Sequence, residues 1–159
     1  MSALVIGVGS PFGDDRVGWE VVAAVRMALR SAPAPVRTLA CDRPGAALLE
    51  ALEGVKHAVI VDAARAGDCP PGSLRWLDGR GLEGERAASS HGFGLAEALA
   101  LARALGDAPR RVDVLAIAAV RFEGDALSEP VRAAVPLAAR AVLERIDAQR
   151  VCVHGDPGE

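Results

Sequence analysis

Two carboxylates and an imidazole, far apart along the chain, are the residues whose types and surroundings could do chemistry. Asp14 and Asp15 lie in the segment GVGSPFGDDRVG, Gly7 to Gly18, which follows an apolar run and opens a helical pattern. The glycines suggest a dinucleotide loop, but their spacing is GxGxxxG rather than GxGxxG. A pyrophosphate at that helix start would also meet both acids, and like charges ~4 Å apart cost several kcal/mol at an effective dielectric of about 20. A structural role, as N-cap and macrodipole partner, accounts for one acid and leaves the other for a site. Asp62 ends the run VIVD, where a carboxylate sits at a crevice mouth or merely caps a turn. His91 lies in SSHGFGL, between a polar stretch and a helical one, where a histidine is either structural or an exposed ligand. Asp15, Asp62 and His91 taken together suit a divalent first-row metal and leave coordination positions open. Such a set can polarise a carbonyl, activate water, or recognise a metal held by another molecule. Residue types and spacing leave these three open. His57 precedes a strand and reads as structural, His154 falls near the end, and no Ser–His–Asp or Cys–His set is present.

The elements that must position these residues follow from the hydrophobic pattern. Ala3–Val8, Val36–Cys41, His57–Val61, Leu74–Leu77 and Val112–Ala118 are short apolar runs that suit strands, most of them buried on both faces. Between them, helical spacing runs from Asp15 to a stop at Ser31-Ala32-Pro33, through Ala46, Leu49 and Leu52, and from Phe93 to Leu105 with Gly106 as the stop. Residues 79–90 read as a polar surface loop. A final helix starts at Ser128 as N-cap, with Pro130 tolerated in its first turn and Pro136 expected to kink or split it. Strands alternating with helices predict a three-layer α/β/α domain around a mostly parallel twisted sheet of about five strands. In such sheets, sites form beyond the carboxyl ends of the strands. That rule points to the segments after Val8, Cys41, Val61 and Ala118. One domain is expected over residues 1–150, with the chain loose after Ile146 and a flexible tail over 151–159.

Composition removes several function classes. A net charge of −3, three Phe, two Trp and no Tyr give neither the basic footprint nor the aromatic platform of a nucleic-acid binder. Cys41, Cys69 and Cys152 are odd in number and lack CxxC spacing, which argues for reduced thiols rather than disulfides or a thiolate zinc site. The start MSALVIGVG has no signal-peptide pattern, and no apolar stretch approaches the ~20 residues that span a bilayer. A cytoplasmic protein, monomeric, with no membrane or nucleic-acid partner, is the expectation.

The opening LVIGVGSPFGDDRVGWEVV, then VIVDAARAG (59–67), SSHGFGLAEALALA (89–102) and RFEGDALSEPVRAAV (121–135), resemble the hydrogenase maturation proteases in type and order. The resemblance implies a twisted sheet between helices and an aspartic-type endopeptidase that activates another enzyme. Its substrate would be the nickel–iron hydrogenase large-subunit precursor, which loses a C-terminal peptide after nickel insertion. It further implies that Asp15, Asp62 and His91 contact the substrate's nickel, or another divalent metal in the isolated protein, and that Asp42 faces the substrate. Two features depart from the family pattern. Ser10 replaces the usual Asn, and Cys41-Asp42-Arg43-Pro44-Gly45 stands where many members have Asp followed by Gly-Gly-Thr. A metal-checking module that does not cleave, and a nucleotide-binding α/β protein, are the alternatives.

Overall fold

The computed structural model describes residues 3–31, 35–80, 82 and 94–154. His91, the Ala32-Pro33 stop, Phe93, most of the 79–90 segment and the tail beyond 154 lie outside the described residues. The strands are β1 (Ala3–Gly9), β2 (Val36–Asp42), β3 (His57–Arg65), β4 (Leu74–Asp78) and β5 (Arg111–Ala119). The helices are α1 (Val17–Leu29), α2 (Ala46–Leu52), α3 (Leu95–Leu105) and α4 (Glu129–His154), with a 3-10 turn at Gly13–Arg16. The sheet order is β2-β1-β3-β5-β4, parallel throughout except for β4, which pairs antiparallel with β5 at one edge.

Alternation within each strand builds two cores. Val5 of β1, Val59 and Val61 of β3, and Leu115 and Ile117 of β5 pack under α1 and α4. Leu4, Ile6 and Val8, Ala58 and Ile60, and Val114 pack on the opposite face under α2 and α3. β1 is buried along its whole length, so both registers of its side chains are apolar.

The chain leaves β1 through α1 toward β2, then crosses back through α2 to β3 on the other side of β1. The order reverses between β1 and β3, and the crevice past their carboxyl ends is the topological switch point. α1 is pressed tightly onto that point. A Cβ on Gly18 would lie 2.5 Å from the Val8 carbonyl oxygen and 2.6 Å from that of Val61. The glycines that suggested a phosphate loop thus serve close helix–strand contact.

Several sequence expectations need correction. α1 begins at Val17, because the two acids before it lie in the 3-10 turn. β3 continues past Val61 to Arg65, pairing with Ala116–Ala119, so Asp62 lies within the strand and not just beyond it. Pro136 does not split α4, which is one helix through His154 and does not end at Ile146. Proline removes one donor, yet Arg132 and Pro136 both lie on the exposed side of the helix, where an unpaired carbonyl costs least. The buried stripe Val131, Ala134, Ala138, Val142 and Ile146 holds the helix on the sheet. Gly106, with φ 81°, ends α3 as expected.

Candidate active site

The adjacent acids of the first turn divide their work. Asp14 is wholly buried, and its carboxylate ties three distant segments together. Oδ2 accepts hydrogen bonds from the Val120 N–H at 3.0 Å, the Arg121 N–H at 2.9 Å and the Ser128 hydroxyl at 2.8 Å. Oδ1 accepts from the Ser128 N–H at 2.6 Å. Burial pushes the Asp14 carboxyl up, but the donors from Arg121, Ser128 and Val120 outweigh it and hold the group below the ordinary carboxylate value. Asp14 is therefore a structural acid, serving the start of α4 and not its own helix. Ser128, expected to cap α4 with its hydroxyl, donates that hydroxyl to Asp14 instead. The missed signal was the pairing of an acid doublet with a distant cap residue, which residue types alone do not connect.

Asp15 follows Asp14 in the same turn. It is 6% exposed, and its carbonyl accepts from the Ser10 N–H at 3.2 Å while closing against Gly9, where no Cβ would fit. The 3-10 turn that carries it packs on β3. Asp62 is 7% exposed and sits one residue past Val61, the last β3 residue paired with β1. Val59, Val61 and Ala63 face α1 and α4, so Asp62 faces the side covered by α2 and α3. Asp15 and Asp62 thus come to the same end of neighbouring strands. Asp42 stands on the other side of β1, paired in register with Gly9, and is mostly exposed. The Trp19 indole of α1 reaches over to donate to the Cys41 carbonyl at 2.9 Å, which fixes the end of β2. Among the described residues no three His, Cys, Asp or Glu side chains form a metal-holding group. His91 is outside them, so the ligand set expected from sequence is represented here by its two acids.

His57 proves structural, as its position suggested. Its Nε2 lies 2.8 Å from Asp113 Oδ2 at the amino end of the sheet. Arg111 donates to the same carboxylate at 2.8 Å, and Arg145 stands 3.6 Å away while stacking over the Trp76 ring at 4.1 Å. Burial raises the Asp113 carboxyl, while hydrogen bonds from His57 and Arg111 bring it to a net value below the ordinary one.

The sequence model of the hydrogenase maturation proteases matches residues 43–145. The chain belongs to the hydrogenase maturation protease family. It is accordingly an endopeptidase of hydrogenase maturation. The fold is similar to the hydrogenase maturating endopeptidase HybD from Escherichia coli, at 24% identity and a TM-score of 0.81 over 94% of each chain. It is also similar to the NiFe hydrogenase maturation protease HybD from Thermococcus kodakarensis, at 22% identity and a TM-score of 0.75, over 91% of this chain and 98% of that one. A hydrogenase 2 maturation peptidase from a Thaumarchaeota archaeon is 29% identical, with a TM-score of 0.67 over 92% of this chain and 99% of that one. No match was found among curated proteins. Among the described residues no helix is long and apolar enough to cross a membrane.

Proposed function

We propose that the protein removes the C-terminal peptide of a nickel–iron hydrogenase large-subunit precursor after nickel insertion, with Asp15, Asp62 and His91 contacting the nickel that the substrate carries. The observation that supports this reading most is the packing of the Asp15 turn on β3, the strand that carries Asp62, beside the switch point between β1 and β3. Asp62 also faces the side on which α3 packs. α3 runs back toward the start of β5, so its first residue, Leu95, lies at the carboxyl end of the sheet, four positions after His91. Four residues reach at most about 14 Å, which bounds how far His91 can be from that end.

Two carboxylates in a partly buried crevice repel each other, and a cation between them relieves that repulsion. In this reading the precursor's nickel takes that place, and Asp15, Asp62 and a neutral His91 fill its open coordination positions. The scissile bond is then fixed by the substrate's own metal, and positioning of this kind lowers a barrier by several kcal/mol. Water adds across the peptide bond, activated by the nickel or by one of the acids. Asp42, on the far side of β1, faces the incoming chain. The reaction would take place in the cytoplasm, between a monomer and its precursor.

The test sets nickel-loaded and nickel-free precursor side by side with the purified protein. Shortening of the loaded precursor alone is expected. A loaded precursor that stays full length ends the proteolytic reading, and nickel-dependent association without cleavage would assign the chain a checking role instead.

A further inference from the structure

Among the described residues, Arg43 is the one non-glycine with a positive φ, 64°. It lies between the end of β2 and Pro44, and a residue before proline is restricted further. Glycine or asparagine would meet this backbone requirement with less strain. Such a conformation persists only when its surroundings enforce it. Here the Arg43 N–H donates to the Gly9 carbonyl at 3.1 Å, and Gly9 is locked against the Asp15 carbonyl. Two residues further back, Trp19 fixes Cys41. The backbone of Arg43 is thus held at the rim of the Asp15 crevice.

The fold makes little use of the side chain itself. It is 69% exposed, and its Nε lies 3.8 Å from Oδ1 of Asp42, which is 68% exposed. An open pair of that kind contributes little to stability. A strained, firmly held backbone therefore presents a guanidinium to solvent beside a crevice rich in carboxylates. Asp15, Asp42 and Asp62 repel an anionic peptide, and Arg43 offers it a forked, charge-assisted contact.

We propose that Arg43 is a specificity residue that binds a carboxylate of the precursor's C-terminal segment, an inference that rests on the function proposed above. The carboxylate can belong to an acidic side chain or to the chain terminus. The test compares the wild type, Arg43→Asn, which keeps the backbone conformation accessible, and Arg43→Lys, which keeps the charge without the fork. Each is given three nickel-loaded precursors: native, with the acidic residues of the C-terminal segment changed to amides, and with two added glycines that displace the terminal carboxylate.

Arg43→Asn is expected to raise KM for the native precursor about tenfold, with kcat within about twofold and Arg43→Lys in between. For whichever altered precursor has lost the recognised carboxylate, wild type and Arg43→Asn should share one KM. A KM unmoved by Arg43→Asn, or raised equally on all three precursors, overturns the proposal. Should the wild type cleave none of them, the proteolytic function fails separately. Calorimetric Kd values for the native loaded precursor then decide on Arg43, with equal values for wild type and Arg43→Asn counting against it.

Discussion

The two ends of the sheet use buried acids in opposite ways. At the amino end, the Asp113 carboxylate lies among His57, Arg111 and Arg145, so the cluster resolves its own charge. At the carboxyl end, Asp14 is satisfied by backbone N–H groups and a hydroxyl, which bring no countercharge. Asp15 lies beside it in the same turn, and Asp62 lies in β3 just past its pairing with β1. The first arrangement is what a fold needs from a buried acid. The second places acids beside a crevice, which is what the nickel-bearing substrate proposed above would need. The four parallel strands permit this division because they all begin at one end and finish at the other.

The comparison breaks most readily at Asp113. Replacing it with alanine leaves Arg111, Arg145 and the His57 ring without their shared partner. Removing one member of a buried charged cluster costs about 3–5 kcal/mol. Thermal unfolding should move down by roughly 10 °C. Cleavage by the molecules that remain folded should be unchanged, because the cluster is at the far end from the crevice. A variant that stays stable but loses activity would mean that the two ends are not functionally separate.

Asp62→Asn should behave in the reverse manner. The amide keeps the shape of the side chain and loses the charge. The melting temperature should stay within about 2 °C, while kcat/KM on nickel-loaded precursor falls about a hundredfold or more. If the protein unfolds and the folded fraction still cleaves and still requires nickel, Asp62 is a structural residue and the ligand reading is lost. His91→Ala is the companion measurement at the imidazole.

Much of this arrangement was legible in the residues themselves. Apolar runs marked all five strands, and the alternation with helical spacing implied the parallel sheet and therefore the end at which to look for a site. Asp15 and Asp62 stand out because each comes after an apolar run, and Asp42 through the family resemblance. What stayed hidden depends on contacts distant in sequence. Asp14 bonds to residues more than a hundred positions away, so neighbouring residues could not separate it from Asp15. The extension of β3 beyond Val61 is supported by pairing with β5, not by its own hydrophobicity. α4 runs through Pro136 because packing outweighs a local propensity that argues for a break. The strain at Arg43 belongs to a turn geometry that residue types do not dictate.

The smallest effect separates the two kinds of buried acid most directly. Asp14 and Asp113 both titrate below their ordinary value in the folded protein. Each therefore contributes stability that is fully present above the unfolded value, near 3.8, and lost as pH falls through the lower folded value. The acid limb of stability should steepen below about pH 4, with each group adding at most ~1.4 kcal/mol per pH unit. Asp14→Asn should make that limb shallower, as should Asp113→Asn. Salt should tell the two apart. Arg111 and Arg145 are partly exposed charges, and about 1 M salt shortens the screening length to ~3 Å. The part of the limb that Asp113→Asn removes should shrink in high salt. The part that Asp14→Asn removes should persist, since the backbone N–H groups and the hydroxyl around this buried carboxylate offer no net charge to screen. Equal salt sensitivity in denaturation curves collected from pH 2.5 to 6 would mean that Asp14, too, is held by charges, and the contrast between the two ends would have to be abandoned.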